Sequence, residues 1–406
     1  MDKVCVVGLG YIGLPTASLL ANRGYRVRGV DVNARVVETI NRGEIHIHEP
    51  DLDVMVRSAV NSGLLTASQT PAPADVFILA VPTPFKEEHV PDISYVEAAT
   101  QAVAPYLEPG NLVILESTSP VGTTEKIASQ LKKLRPNIDE GSPIYIAHCP
   151  ERVLPGQILK ELISNDRIVG GIDPASTKKA AAFYKKFVTG EVLGTDARTA
   201  EMAKLTENAF RDVNIAFANE LSLICDRLNI DVWKLIELAN RHPRVKILKP
   251  GPGVGGHCIA VDPWFIVDSA PDQARLMRMA REVNDSKPEY VFDKVKAAAA
   301  EYNQPIIACL GLAYKANIDD LRESPAVAIV RKLAVEGVGN VWAVEPHIKS
   351  LPASLEDLGN IQMVDVEAAV KKADIVVLLV DHFDFTNIDR ELLRGKIVFD
   401  TRGIWR

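Results

Sequence analysis

Residues 4–31 constrain the fold more than any other stretch of the chain. Val4-Cys5-Val6-Val7 is a short apolar run without polar alternation, the pattern of a parallel strand covered on both faces. Gly8-Leu9-Gly10-Tyr11-Ile12-Gly13 follows at once, and a helical pattern then runs through Leu20. A second strand spans 25–30 and ends in Asp31. Strand, turn, helix and strand in so short a space form a βαβ unit. Its strands are expected to be parallel and close neighbours.

The remainder extends this plan. Strands are expected at 76–81, 112–115 and 144–147 with helical patterns between them, which makes a doubly wound parallel sheet. That half is expected to end near Gly194-Thr195. Residues 199–229 contain no glycine or proline and read as one long helix of the kind that bridges domains. After further helices the alternation restarts at residue 306. Strands are expected at 306–311, 341–344, 375–380 and 397–399, with a helix at 326–336. The expected organisation is an N-terminal Rossmann domain (1–197), a central helical domain (198–301) and a C-terminal Rossmann-like α/β domain (302–406). The two α/β parts are alike in class, but their sequences do not align residue by residue.

A chain of 406 residues has room for two or three such domains. Its net charge of −7 argues against nucleic acid as a partner. Five cysteines without metal-like or paired spacing fit a reducing cytoplasm. The first residues already form a strand, so no leader peptide is expected, and no apolar run has the length of a membrane span.

Gly8, Gly10 and Gly13 have the spacing of a dinucleotide fingerprint in its proper setting, after a strand and before a helix. The N–H groups and dipole at the start of that helix suit a pyrophosphate. Asp31 is placed to accept ribose hydroxyls and to repel a 2′-phosphate, so NAD is expected over NADP; Arg35 lies one turn further on. Two further strand ends carry hydroxyls, Thr83 in Val81-Pro82-Thr83-Pro84 and Thr118 and Thr124 in the stretch 115–124. They suit a cofactor or a water, or equally turn-building and N-capping.

The glycine-rich run 251–256 leads into His257 and Cys258, with Asp262 four residues on. A thiol among close-approaching N–H groups suits a nucleophile whose oxyanion is stabilised, although free cysteines are also common in cores. On the long helix, Lys204, Asn208 and Arg211 stand at i, i+4 and i+7. They form either a solvated face, with Glu201 and Glu207 as partners, or a site. Cations also recur in 242–246, in Tyr314-Lys315 and Arg322, and at Arg402. His46-x-His48-Glu49 has no further ligand in evident reach, so no metal is expected.

Taken in order, these segments resemble the UDP-glucose/GDP-mannose dehydrogenase family over essentially the whole chain. The resemblance is carried by 42–47, 81–85, 149–156, 204–212, 242–244 and 254–264. It is narrower for the branch that oxidises N-acetylated sugars, where a His such as His257 precedes the cysteine, and UDP-N-acetyl-D-mannosamine is the substrate it implies. The resemblance implies NAD contacts from Gly8, Gly10, Tyr11, Ile12, Gly13, Asp31, Thr83, Thr124 and Arg322. It implies UDP-sugar contacts from Arg152, Val153, Lys204, Asn208, Arg211, His242, Arg244, Gly255, Tyr314, Lys315 and Arg402. The last stands where relatives often carry Lys.

The implied reaction is a four-electron oxidation at C6. Cys258 forms a thiohemiacetal and then a thioester, while Lys204 and Asn208 steady the oxyanions. Thr118, Glu151 and Asp262 are candidates for handling the hydrolytic water. A homodimer is also implied, with Arg244 contributed to the partner's site. The rival readings are UDP-N-acetylglucosamine oxidation, a two-electron β-hydroxyacid dehydrogenase and a non-catalytic nucleotide sensor.

Overall fold

A computed structural model describes residues 2–86, 89–136, 143–154, 156–256 and 258–405. The chain divides into two compact units, Met1–Glu207 with Trp264–Ala270, and Asn208–Pro263 with Pro271–Arg406.

Among the described residues, the first unit is built on eight strands: β1 (Lys3–Val7), β2 (Arg26–Val30), β3 (Leu65–Ser68), β4 (Val76–Leu79), β5 (Leu112–Leu115), β6 (Tyr145–His148), β7 (Arg167–Gly171) and β8 (Val192–Asp196). Their order in the sheet is β3-β2-β1-β4-β5-β6-β7-β8. All neighbours are parallel except β6 and β7. The order reverses between β1 and β4, which opens a crevice at their C-terminal ends. β4 and β5 are buried along their whole length, as their unbroken Val, Ile, Leu and Phe content requires between two helical layers. The expected strand 76–81 stops at Leu79. β3, β7 and β8 are additional to those expected, because Leu-Thr-Ala-Ser, a glycine-ended strand and an exposed edge lack a continuous apolar run.

The second unit carries β9 (Ile306–Leu310), β10 (Asn340–Val344), β11 (Ile361–Met363), β12 (Ile375–Leu378) and β13 (Ile397–Asp400). They form an all-parallel sheet in the order β11-β10-β9-β12-β13. The helix Arg275–Ala299 belongs to this unit, and the helix Ala197–Arg227 runs unbroken through the change of unit at Glu207. No helix of the described residues is long and apolar enough to cross a membrane.

The two sheets repeat one turn in detail, although the sequences gave no alignment. Gly8 N–H donates to Val30 O and Gly311 N–H to Val344 O, both at 2.8 Å. Gly8 and Gly311 have φ of +92° and +97°, a left-handed conformation that a Cβ would strain. A carboxylate after the second strand receives the next N–H in each case. Asp31 Oδ2 accepts from Leu9 (3.0 Å), and Glu345 Oε2 accepts from Leu312 (2.7 Å).

Candidate functional site

The first unit places the glycine fingerprint at the crevice beside β1 and β4, and each glycine has its own reason. A Cβ on Gly8 would strike the Ala80 carbonyl and one on Gly13 the Gly8 carbonyl, whereas one on Gly10 would meet nothing within 4 Å. Gly8 and Gly13 therefore serve the turn and its packing. Gly10 leaves a bare backbone at the start of helix Gly13–Asn22, the cradle that a pyrophosphate needs. Tyr11 and Ile12 complete that turn. Asp31 is half-buried and ties the β1 turn to the segment after β2, accepting from Leu9 N–H and, at 2.9 Å, from Asn33 N–H. These residues fit NAD.

Thr83 and Thr118 come together: the Thr83 hydroxyl donates to the Thr118 carbonyl at 2.5 Å. Thr124 behaves differently from a surface hydroxyl. It is fully buried, and its hydroxyl donates to Glu201 Oε1 at 2.6 Å. Glu201 also accepts the N–H groups of Thr124 (2.7 Å) and Gly122 (2.6 Å). A carboxylate from the long helix thus caps the helix Thr123–Leu134, whose own N-cap position is a glycine with no side-chain bond. Among the described residues, Glu201 and Glu207 bond elsewhere than to the Lys204 trio. Glu207 binds Arg152, with Nη2 to Oε1 at 2.6 Å.

Glu151 lies in a buried polar cluster. Arg167 Nη1 meets its Oε2 at 2.8 Å, and its Oε1 accepts the Arg152 N–H at 2.7 Å. Arg152 also reaches the Asp166 carbonyl, so the stretch with Arg152 and Val153 is firmly tethered. Close by, the Tyr184 hydroxyl donates to Glu116 Oε1 at 2.7 Å. Burial pushes the Glu116 carboxyl up to about 7, against the opposing pull of Arg167. Nothing in the local sequence announces Glu116, Arg167 or Tyr184 as partners, since they come from three separate elements.

In the second unit, Cys258 occupies a turn whose carbonyl accepts the N–H groups of Val261 (3.1 Å) and Asp262 (2.8 Å). Asp262 opens the helix Asp262–Ser269 and accepts the Asn208 amide at 2.5 Å. Cys258 is half-buried, while Cys5, Cys149, Cys225 and Cys309 are buried. Burial pushes Cys5 up to about 11 and Cys149 and Cys309 up to about 12, so these remain thiols. The glycine run is anchored from behind. Asn219 Oδ1 accepts the Gly251 N–H, Asn219 donates to Asn284, and Asn284 and Arg281 both donate to Asp212. His257 lies outside the described residues.

Tyr314, Lys315 and Arg322 share the loop after β9, and this loop packs on the cysteine run. Gly256 N–H donates to the Arg322 carbonyl at 3.1 Å. A Cβ on Gly255 or Gly256 would collide with Tyr314. The Arg322 guanidinium is bound to Asp320 of the same loop. Arg402 follows β13 and pairs with Asp381 at 2.6 Å. His242 and Arg244 are exposed, with the Arg244 N–H directed to His242 Nδ1. Arg211 is exposed on the long helix, one turn after Asn208. Glu49 of the histidine-rich stretch has a structural role, since its two oxygens accept the N–H groups of Gly156 and Ile158.

Three family models cover most of the chain. They are the NAD binding (2–188), central (198–286) and UDP binding (308–406) domains of the UDP-glucose/GDP-mannose dehydrogenase family. The chain is 60% identical to an NDP-N-acetyl-D-galactosaminuronic acid dehydrogenase of Ralstonia nicotianae, over 99% of this chain and 96% of the relative. It is 56% identical to a UDP-N-acetyl-D-mannosamine dehydrogenase of Yersinia pestis, over 100% and 99%. A solved UDP-D-ManNAc dehydrogenase from Pyrococcus horikoshii superimposes with a TM-score of 0.89 at 40% identity, covering 100% of this chain and 96% of that one. The glycine cradle, the carboxylate after β2 and the second nucleotide-binding sheet agree with these matches: the chain belongs to the UDP-glucose/GDP-mannose dehydrogenase family and is an NAD-dependent UDP-sugar dehydrogenase.

Proposed function

We propose that the protein oxidises the C6 hydroxyl of UDP-N-acetyl-D-mannosamine to the carboxylate, using Cys258 as a covalent nucleophile. The observation that carries the mechanism is the setting of Cys258, a half-buried thiol in the turn leading into the helix that Asp262 begins, with Asp262 bonded to Asn208. In this reading residues 1–197 hold NAD, 198–301 supply the reacting groups and 302–406 hold the nucleotide.

NAD would be held by the turn of Gly8, Gly10 and Gly13 and would supply the acceptor for two successive hydride losses from C6. Loss of the first leaves an aldehyde at C6. The Cys258 sulfur adds to that carbon, giving a thiohemiacetal that can lose the second hydride. The resulting thioester takes up water, releasing the acid and restoring the thiol. One alcohol, two NAD and one water therefore give one carboxylate, two NADH and three protons. The Lys204 ammonium and Asn208 amide steady the oxygen at each stage, and Lys204 moves its proton. Thr118, Glu151 and Asp262 serve the hydrolytic water. Arg167 Nη1, 2.8 Å from Oε2, holds the Glu151 carboxylate in place.

Val153, Arg152, Arg211, His242, Arg244, Gly255, Tyr314, Lys315 and Arg402 hold the UDP-sugar. Gly8, Gly10, Tyr11, Ile12, Gly13, Asp31 and Thr83 hold NAD, with Thr124 and Arg322 supporting them. A homodimer is supported by the long helix, which exposes Phe210, Phe217, Ile224 and Leu228 along one stripe; Phe210 is 70% exposed. The enzyme works where NAD and nucleotide sugars are made, in the cytoplasm.

A second sugar is favoured by the 60% identity to the Ralstonia nicotianae enzyme, named for N-acetyl-D-galactosaminuronic acid. NADH formation with UDP-N-acetylmannosamine, UDP-N-acetylgalactosamine, UDP-N-acetylglucosamine and UDP-glucose decides between them. UDP-N-acetylmannosamine is expected to have the highest kcat/KM and UDP-glucose the lowest, because a pocket built for the amide leaves polar groups unpaired without it. UDP-N-acetylgalactosamine in first place would replace the sugar and leave the mechanism intact.

A further inference from the structure

Glu345, His347 and His382 bring three ligand-type atoms within 4.8 Å of one another after β10 and β12. Their hydrogen bonds assign them another task. Glu345 is only 4% exposed, and its oxygens accept the N–H groups of Leu312, Ala313 and His347. Burial alone would raise its carboxyl. The bonds from His382, Leu312 and Ala313 overcome that and hold it below the usual range. His382 is fully buried. Its Nδ1 lies 2.9 Å from the Asn317 N–H, which can only donate. Nδ1 must therefore accept, the ring proton sits on Nε2, and Nε2 donates to Glu345 at 3.1 Å. No lone pair of this imidazole faces the carboxylate, so the cluster is a clamp.

The clamp closes on the loop that carries Tyr314 and Lys315. Asn317 has φ of +61° and is held twice, through its N–H to His382 and through its Oδ1, which accepts the Phe383 N–H at 2.9 Å. The preceding residue, Asp381, accepts Arg402 Nε at 2.8 Å and Nη2 at 2.6 Å. Two consecutive residues in the loop after β12 thus govern cations on two different segments. The same loop packs on Gly255 and Gly256, just ahead of Cys258.

We propose that Asp381 and His382 are positioning residues for the UDP-sugar, Asp381 by aiming Arg402 and His382 by fixing the Tyr314-Lys315 loop through Asn317. This rests on the reading that Lys315 and Arg402 bind that substrate. A displaced loop leaves the binding cations present but misaligned, so substrate affinity falls more than the rate of the bound complex.

The test uses the full-length protein with the UDP-sugar that the wild type turns over best, and measures KM, kcat and UDP binding by calorimetry. His382→Ala and Asp381→Asn are each expected to raise the sugar KM by about tenfold, with kcat within about threefold and the NAD KM unchanged. His382→Asn keeps an acceptor where Nδ1 stood and should recover most of the loss. An unchanged sugar KM, or a fall in kcat alone, overturns the proposal. If His382→Ala does not fold, Asn317→Gly keeps the positive φ, removes the Phe383 contact and gives the same readout. Lys315→Ala and Arg402→Ala separate the two levels. If they weaken UDP binding and the clamp variants do not, the clamp is wrong; if they leave UDP binding intact, the substrate assignment itself is wrong.

Discussion

Asn208 and Asp262, 54 residues apart, are joined by a 2.5 Å hydrogen bond from the amide to the carboxylate. The bond turns the amide nitrogen of Asn208 toward Asp262 and holds the side chain in one orientation. Asp262→Ala should therefore behave like loss of an oxyanion donor, lowering kcat by about a hundredfold or more. NAD binding, followed by nucleotide fluorescence titration, should stay at the wild-type level. A kcat near the wild-type value would mean that Asp262 only stabilises the helix it begins.

Cys258→Ser should stop turnover before acid forms. The glycine cradle and the cationic loops are untouched, so NAD and the UDP-sugar should bind as before. The wild type should yield two NADH per sugar consumed. Free uronate from the serine variant would remove the covalent route, and a ratio of one NADH with released aldehyde would leave a two-electron enzyme.

Asp31 both faces the crevice and holds Leu9 N–H. Asp31→Ala should raise the NAD KM by about tenfold or more, since a charged acceptor is worth roughly 1.5–3 kcal/mol. It should also narrow the preference for NAD over NADP, because the repulsion of a 2′-phosphate is gone. Comparison of kcat/KM for both cofactors checks this. An unchanged ratio would mean that Asp31 is not the discriminator, and equal kcat/KM for the two cofactors in the wild type would point to Arg35 as a partner for the 2′-phosphate.

Glu116 gives stability a pH dependence. Its carboxyl rises from 4.5 unfolded to about 7 folded because burial disfavours the charge. The folded state therefore holds a proton that the unfolded chain has released. This contribution is complete below pH 4.5 and is lost as pH climbs through 7, a change on the order of 3 kcal/mol. Glu116→Gln should remove that slope from denaturant unfolding measured between pH 5 and 8. A slope equal to the wild type's would place the titration elsewhere.

The parts of the architecture carried by continuous apolar runs were legible in the sequence, as β1, β4, β5 and β12 illustrate. So were the glycine fingerprint, Asp31 and the unbroken long helix, because each depends on local spacing. β3, β7 and β8 were not legible, being short, glycine-ended or exposed at an edge. Partnerships between remote segments also escaped it. Glu201 looked like a surface partner for the Lys204 face and is instead a buried cap for Gly122 and Thr124. Arg167 and Arg281 had no local motif, and only the folded chain brings them to Glu151 and Asp212. His382 belongs to no sequence motif, and only the folded chain gives its two nitrogens opposite duties.

The glycine turn that occurs twice has unequal fates. Beside Gly8, the carboxylate of Asp31 is half-buried at the mouth of its crevice, where a ribose can reach it. Beside Gly311, the carboxylate of Glu345 is sealed by His382 and three backbone N–H groups. The second sheet keeps the frame of a dinucleotide seat but has turned its acid inward as a rivet. Each polypeptide should accordingly saturate with a single equivalent of NAD, and nicotinamide nucleotides should not compete with UDP for the C-terminal sheet. One shape is thereby divided between a redox carrier that comes and goes and the nucleotide handle of the substrate.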